Sequence, residues 1–232
     1  MGADLAKVLR VFSIGRDASD AALETLSTVA TVRRLAEDDV VWSQGEPSTR
    51  VVLIQSGLVQ IARTLSVPNP VTVALFGPRE VAGLVAVLQH SPYPAAARVV
   101  SEHADIIEIP DGAFHAALQA DHGFARSSNS ALVGQIHALH AKISMLTNGD
   151  SEERLVTLFV HLAERFGDQA EDDSTFIPVT LTRRMMGQLI GARTETVIRT
   201  LAKWQQSDVL TTEPTGFRIT SLDRLLAMLQ GE

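Results

Sequence analysis

Glu195 and Arg199 stand four residues apart in the stretch GARTETVIRTL, just after a glycine. On a helix that spacing projects both side chains from one face. A guanidinium so placed can donate two hydrogen bonds to the O6 and N7 of guanine, and a carboxylate can accept one from the amino group of cytosine. The bland alternative is a surface ion pair worth about 0.2–0.5 kcal/mol. A carboxylate among phosphates is repelled, so a Glu here must hold its place by a specific contact. The neighbours suit such a setting. Thr182, Arg183, Arg193, Thr194 and Lys203 carry the hydroxyls and cations that hold phosphate oxygens, which position a protein without reading sequence. Thr196 belongs to the same contact set. Between Pro178 and Thr220, six Lys/Arg against three acids leave a local charge of +3 in a chain of net charge −7.

The elements around these residues read as a helix–turn–helix. Thr182 is an N-cap, and Met186, Leu189 and Ile190 give the first helix a buried side. Gly191 permits the tight turn. The second helix starts near Thr194, with Val197, Leu201 and Trp204 inward and Thr194, Glu195, Ile198 and Arg199 outward, so Glu195 and Arg199 can also hold each other in place. In such a motif the start of the second helix enters the major groove. The alternating VLTTEPTGFRIT then predicts a hairpin, or wing, around Pro214-Thr215-Gly216, with Arg218 within reach of the nucleic-acid backbone.

Upstream, residues 1–30 read as short helices. From about 31 to 110 come short β-rich runs, VVW, RVVLIQ, LVQIA, VTVALF, ARVV and DIIEIP, punctuated by turns, which predicts an antiparallel barrel or roll. Gly83 to His90 fits a short helix inside it. From about 121 to 147 a proline-free helix carries Ala125, Asn129, Leu132, Ile136, Leu139, Ile143 and Leu146 at alternating steps of four and three. That is the a/d seam of a two-stranded coiled coil, with one polar residue to set its register. Asn148-Gly149-Asp150 ends it, and Asp150 or Ser151 caps the next helix. GDQAEDDST reads as an acidic loop.

Composition removes other classes. The chain has 232 residues, 45% of them hydrophobic, and no cysteine. Disulfides, Cys-held iron–sulfur clusters, thiolate zinc sites and Cys nucleophiles are therefore excluded. The broken N-terminus lacks a signal-peptide pattern, and no apolar run approaches the roughly 20 residues of a membrane helix, so a cytoplasmic protein with no membrane partner is expected. A cupin-like metal enzyme needs a His-x-His pair on facing strands, but the roll holds only His90 and His103, thirteen apart. No nucleophile elbow, P-loop or dinucleotide fingerprint occurs. The expectation is not an enzyme. A scaffold using the helical seam alone is the other rival.

TRRMMGQLIGARTETVIRTL resembles the helix–turn–helix of the Crp/Fnr family of bacterial regulators. It matches that pattern at Thr182, Arg183, Gly187, Gly191, Glu195, Thr196, Val197 and Arg199, and departs from it at Met186 and Arg193. Trp42-x-Gln-Gly-Glu-Pro, Ile54-x-Ser-Gly-x-Val and Tyr93-Pro-Ala-x-Ala-Arg extend the similarity into the roll. The resemblance implies an α+β chain in three parts: an antiparallel β-roll of the cyclic-nucleotide-binding type over 1–120, a dimerisation helix over 121–147, and a winged helix–turn–helix over 148–232. It further implies a homodimer on a palindromic double-stranded site with TGA-type half-sites. RNA polymerase is a candidate further partner.

The resemblance also bears on what the roll senses. Cyclic-nucleotide binders of the family carry Gly-Glu in the short helix and Arg-Ser or Arg-Thr shortly after. Here Gly83 is followed by Leu84, and Ala95, Ala96 and Ala97 stand near the arginine position, with Arg98 one alternation away. A buried phosphate without a cation is costly, so cyclic AMP is not expected. An apolar effector pocket of Gly83, Leu84, Ala95, Ala96, Ala97, Ile136, Leu139 and His140 is expected instead. Two ligand classes stay open: haem, with His90 or His140 as axial ligand, and a small organic or anionic effector, or none.

Overall fold

The computed structural model describes residues 2–64, 71–147, 149–170 and 173–229. The chain divides into two compact units, Met1–Leu139 and His140–Glu232.

In the first unit, α1 (Gly2–Val11) and α2 (Asp20–Val29) precede a run of strands. These are β1 (Thr31–Ala36), β2 (Val40–Trp42), β3 (Arg50–Ser56), β4 (Val59–Arg63), β5 (Val71–Phe76) and β6 (Val81–Ala82). Helix α3 (Leu84–Leu88), β7 (Ala96–Val99), β8 (His103–Pro110) and α4 (Asp111–Ala120) follow, and then α5 (His122–Thr147), whose residues from His140 on count with the second unit. Two antiparallel sheets form, ordered β1-β8-β3-β6 and β2-β7-β4-β5. The expected strands and the short helix are present. Strand β3 shows why its apolar run is continuous. Val51 and Leu53 face a core shared with α1, α2, α4 and α5, while Val52 and Ile54 face a second core between the sheets. With both faces covered, period-two alternation disappears from the sequence.

Helix α5 uses two faces. Asp121 caps its start, its carboxylate accepting from the backbone N–H of Phe124 at 2.6 Å and of Ser19 at 3.2 Å. Its hydrogen bonds, chiefly with Ser19, hold the Asp121 carboxyl below its usual range. Phe124, Ser127, Ser128 and Ala131 are buried on the roll, and Gln135 Nε2 donates to the Val81 carbonyl at 2.8 Å. Val133, Ile136, Leu139 and Ile143 remain 51%, 52%, 48% and 51% exposed. The side chain of Leu146, last of the expected seam, lies outside the described residues.

The second unit holds α6 (Ser151–Phe166), β9 (Asp168–Gln169), β10 (Thr175–Ile177), α7 (Arg183–Ile190), α8 (Thr194–Gln206), β11 (Leu210–Glu213), β12 (Gly216–Ile219) and α9 (Leu222–Ala227). Asp150 caps α6 in a capping box: its side chain accepts from the Glu153 N–H at 3.0 Å, and the Glu153 carboxylate accepts from the Asp150 N–H at 2.9 Å. The sheet runs β11-β12-β10-β9. The supposed acidic loop is therefore partly strand, because β12 and β9 flank β10 and satisfy its backbone. Phe159 anchors the core, its ring edge-on to Trp204 at 5.9 Å and to Phe217 at 5.1 Å. Among the described residues no helix is long and apolar enough to cross a membrane.

Candidate functional site

Helices α7 and α8 meet through Gly191, which adopts φ 65°, ψ 35° in the left-handed region. A Cβ on Gly187 would lie 2.7 Å from the Ala192 carbonyl oxygen, so that position too admits only glycine without adjustment. Thr182 Oγ1 caps α7 by accepting from the Met185 N–H at 3.2 Å. Met185, Met186, Leu189 and Ile190 are buried against Val197, Leu201 and Trp204 of α8 or their surroundings. Apolar packing thus leaves one side of α8 outward. Glu195 and Arg199 are exposed on it, Thr194 and Thr196 are half-buried, and Ile198 is 52% exposed.

The cations fall into two groups. Arg199, Arg193 and Arg184 are exposed, and among the described residues none of them joins an ion pair. Arg184 was not among the expected contacts, although its neighbour Arg183 was, and two adjacent arginines at a helix start were the available signal. The others are held within the protein. Arg183 donates to Thr212 Oγ1 at 2.8 Å and lies 5.9 Å from the centre of the Phe217 ring, and burial pushes its guanidinium below its ordinary value. Lys203 Nζ donates to the Glu152 carboxylate at 3.0 and 3.1 Å. Arg218 pairs with Glu213 at 2.6 Å and stacks over Phe176 at 5.2 Å. The wing hairpin forms as expected, with Glu213 and Gly216 paired across its turn. The expected Glu195–Arg199 ion pair is not formed. Each side chain is extended toward solvent, where such a pair gains little against side-chain entropy.

The effector region differs from the expected pocket. Leu84 is completely buried in the helix-covered core, whereas Ala97 is completely buried in the core between the sheets. Ala95 is buried and Ala96 half-buried. Trp42 stacks on Tyr93 at 4.3 Å and donates through Nε1 to the Ala95 carbonyl at 2.9 Å, while the Tyr93 hydroxyl donates to the Arg50 carbonyl at 2.5 Å. Gly83, at φ 80°, packs against these two rings. Leu84 and Ala97 are thus core side chains of separate clusters and not facing walls. Ile136 and Leu139 are exposed on α5, and His140 is exposed in the second unit. Arg98 points outward. Its guanidinium donates to the Asp38 carbonyl oxygen. His90, an exposed turn residue at φ 50°, stacks on His115 at 4.3 Å, and His115 Nε2 lies 3.1 Å from the Val87 carbonyl. His90 and His140, the two candidate haem ligands, are both exposed, and Leu84 and Ala97 are committed to cores.

Two family models match the chain, a cyclic nucleotide-binding domain over residues 32–121 and a Crp-like helix-turn-helix domain over residues 153–228. The chain is 24% identical over 185 residues to a CRP-like cAMP-activated global transcriptional regulator of Mycobacterium tuberculosis, covering 80% of this chain and 82% of that one. It is 23% identical to the transcriptional activator protein anr of Pseudomonas aeruginosa, over 86% and 81% of the two chains. FixK2 from Bradyrhizobium japonicum shares the fold with a TM-score of 0.72 at 21% identity, over 86% of this chain and 96% of that one. With a roll matching the first domain, α7 and α8 matching the second, and relatives of this kind along most of its length, the chain belongs to the Crp/Fnr family of DNA-binding transcription regulators.

Proposed function

We propose that the protein binds a two-fold-symmetric duplex as a homodimer, each subunit reading one half-site with Glu195 and Arg199. The observation that carries this reading is the outward face of α8, where a carboxylate, an isoleucine and a guanidinium stand exposed and uncommitted at the start of the second helix of the motif. Arg199 suits guanine, and Glu195 suits cytosine. Arg193, Thr194 and Thr182 would hold phosphates, with Thr196 in the same DNA-contact set. Arg183, Arg218 and Lys203 would join them with the N–H donors not spent on Thr212, Glu213 and Glu152, or by exchanging those partners for phosphate.

The dimer reading is supported by the seam of α5, whose side chains between Val133 and Ile143 are about half exposed in a helix whose other face is already buried. Ala125 and Asn129 continue that side and line a shallow open groove with His122, Arg126 and Val133. The working parts are a sensing roll over 1–120, a dimer helix over 121–147 and a DNA-binding domain over 148–232. The roll answers to an effector other than cyclic AMP, or to none, since Leu84 and the three alanines offer a phosphate no partner. A coupling of about 1–3 kcal/mol through the segment at 148–150 would suffice to favour recognition helices one groove repeat, about 34 Å, apart.

The test is titration of a labelled inverted repeat of TGA-type half-sites against a scrambled duplex, over a range of salt. The expected result is steep salt dependence on both, with a large preference for the repeat and two chains per duplex at saturation. Equal affinity for both duplexes would reject the reading.

A further inference from the structure

One carboxylate holds the recognition helix from behind. Glu152, in the first turn of α6, accepts from Lys203 Nζ with both oxygens, at 3.0 and 3.1 Å, and from Trp204 Nε1 at 3.0 Å. Trp204 is completely buried, so its indole N–H depends on that acceptor. Consecutive helical residues point about 100° apart. A single group bonded to residues 203 and 204 therefore fixes the rotation of α8 about its own axis. The same rotation sets where Glu195 and Arg199 face, and Lys203 lies one turn beyond Arg199 on nearly the same side. Glu152 is itself seated firmly, its backbone N–H donating to Asp150 Oδ1 at 2.7 Å.

We propose that Glu152 is a positioning residue for DNA reading: its carboxylate aims α8 and at the same time holds the Lys203 charge back from phosphate. The proposal rests on Glu195 and Arg199 being the reading pair. Glu152 acts through α8 and touches no base. Losing the carboxylate should blur sequence preference, and losing only its charge should free Lys203 for the phosphate backbone.

The test compares full-length wild type, Glu152→Ala and Glu152→Gln on the preferred duplex and on a random one, at several salt concentrations. Thermal midpoints and the two indole N–H resonances are recorded alongside, that of Trp204 being assigned by its loss in Trp204→Phe. Glu152→Ala should lose about tenfold or more of the site-to-random preference, the span of one base contact. Its Trp204 indole resonance should shift. Glu152→Gln keeps an acceptor for Trp204, so its preference should stay near wild type while its salt slope steepens by about one phosphate contact. A purely structural role would lower the midpoint and leave the preference intact well below melting. The proposal is overturned if Glu152→Ala keeps the wild-type preference, or if Gln and Ala lose it alike. Should the Ala variant fail to fold, the Gln variant decides through its salt slope, and an unchanged slope overturns the proposal. A wild-type protein without any site preference would instead sink the reading pair, and this inference with it.

Discussion

Arg98 faces Asp38 on the outer surface of the roll, donating to its carbonyl oxygen and standing 3.9 Å from its carboxylate. The guanidinium that follows the alanine run in sequence is thus turned away from the interior. Cyclic AMP at millimolar concentration should leave both the melting midpoint and DNA affinity unchanged. A ligand present at a hundred times its Kd adds about 2.7 kcal/mol to stability, which a thermal melt would register as a shift of several degrees. Such a shift would show that a phosphate partner had been overlooked.

Arg199→Ala should weaken binding to the preferred duplex by about 1–3 kcal/mol and relax discrimination at one base pair. Binding to random duplex should change far less. Anisotropy titrations on the site and on single-substitution variants of it measure both quantities, and equal losses on all duplexes would assign Arg199 to phosphate.

Ile136→Glu combined with Leu139→Glu places charges on the exposed seam of α5. The subunit should remain folded, since both side chains are about half exposed already. Light scattering after size exclusion should show a monomer. Affinity for the two-half-site duplex should fall by roughly a hundredfold or more as the second half-site stops being reached intramolecularly. A dimer that survives both charges would place the subunit contact elsewhere.

Burial, and secondarily the Arg165 guanidinium, push the His161 imidazole from 6.5 down to about 4. The folded chain therefore keeps it neutral where the unfolded chain takes up a proton. Its contribution is complete above 6.5 and is lost as pH falls from there toward 4. At pH 5 the linkage amounts to about 2 kcal/mol. Urea unfolding at pH 7.5 and 5 should show a drop in wild type that shrinks by about that amount in His161→Gln, and an undiminished drop would mean that other groups cause it.

The roll and the helix–turn–helix were legible because local rules dominate there. The cap at Thr182, the left-handed glycine at 191 and the inward period of Val197, Leu201 and Trp204 each specify themselves within a few residues. What was missed depends on partners distant in sequence. Strands β9 and β10 are defined by pairing with each other and, for β10, with β12, some forty residues beyond it, and segments of two and three residues carry no period. Lys203 read as a phosphate contact because nothing near it in sequence announces Glu152, whose carboxylate is 3.0 Å away across 51 positions. The division of the expected pocket's residues between two cores was hidden for a related reason. Alternation along β7 shows that Ala97 and Val99 are inward, but not that Leu84 fills a different core. Helix α5 was weighed as either packed on its own roll or turned to a partner; one face is packed on the roll, and the seam residues Ile136, Leu139 and Ile143 stay about half exposed.

That double use of α5 separates two events in the life of the molecule. Phe124 and Ala131 lie in the core of the single chain, so the proposed pairing through the seam is not needed to bury them. Under the dimer proposal, meeting a second copy is a later, bimolecular step. In dilute solution that proposed paired form would grow as the square of the amount made, so occupancy of a two-half-site duplex would rise more steeply than synthesis.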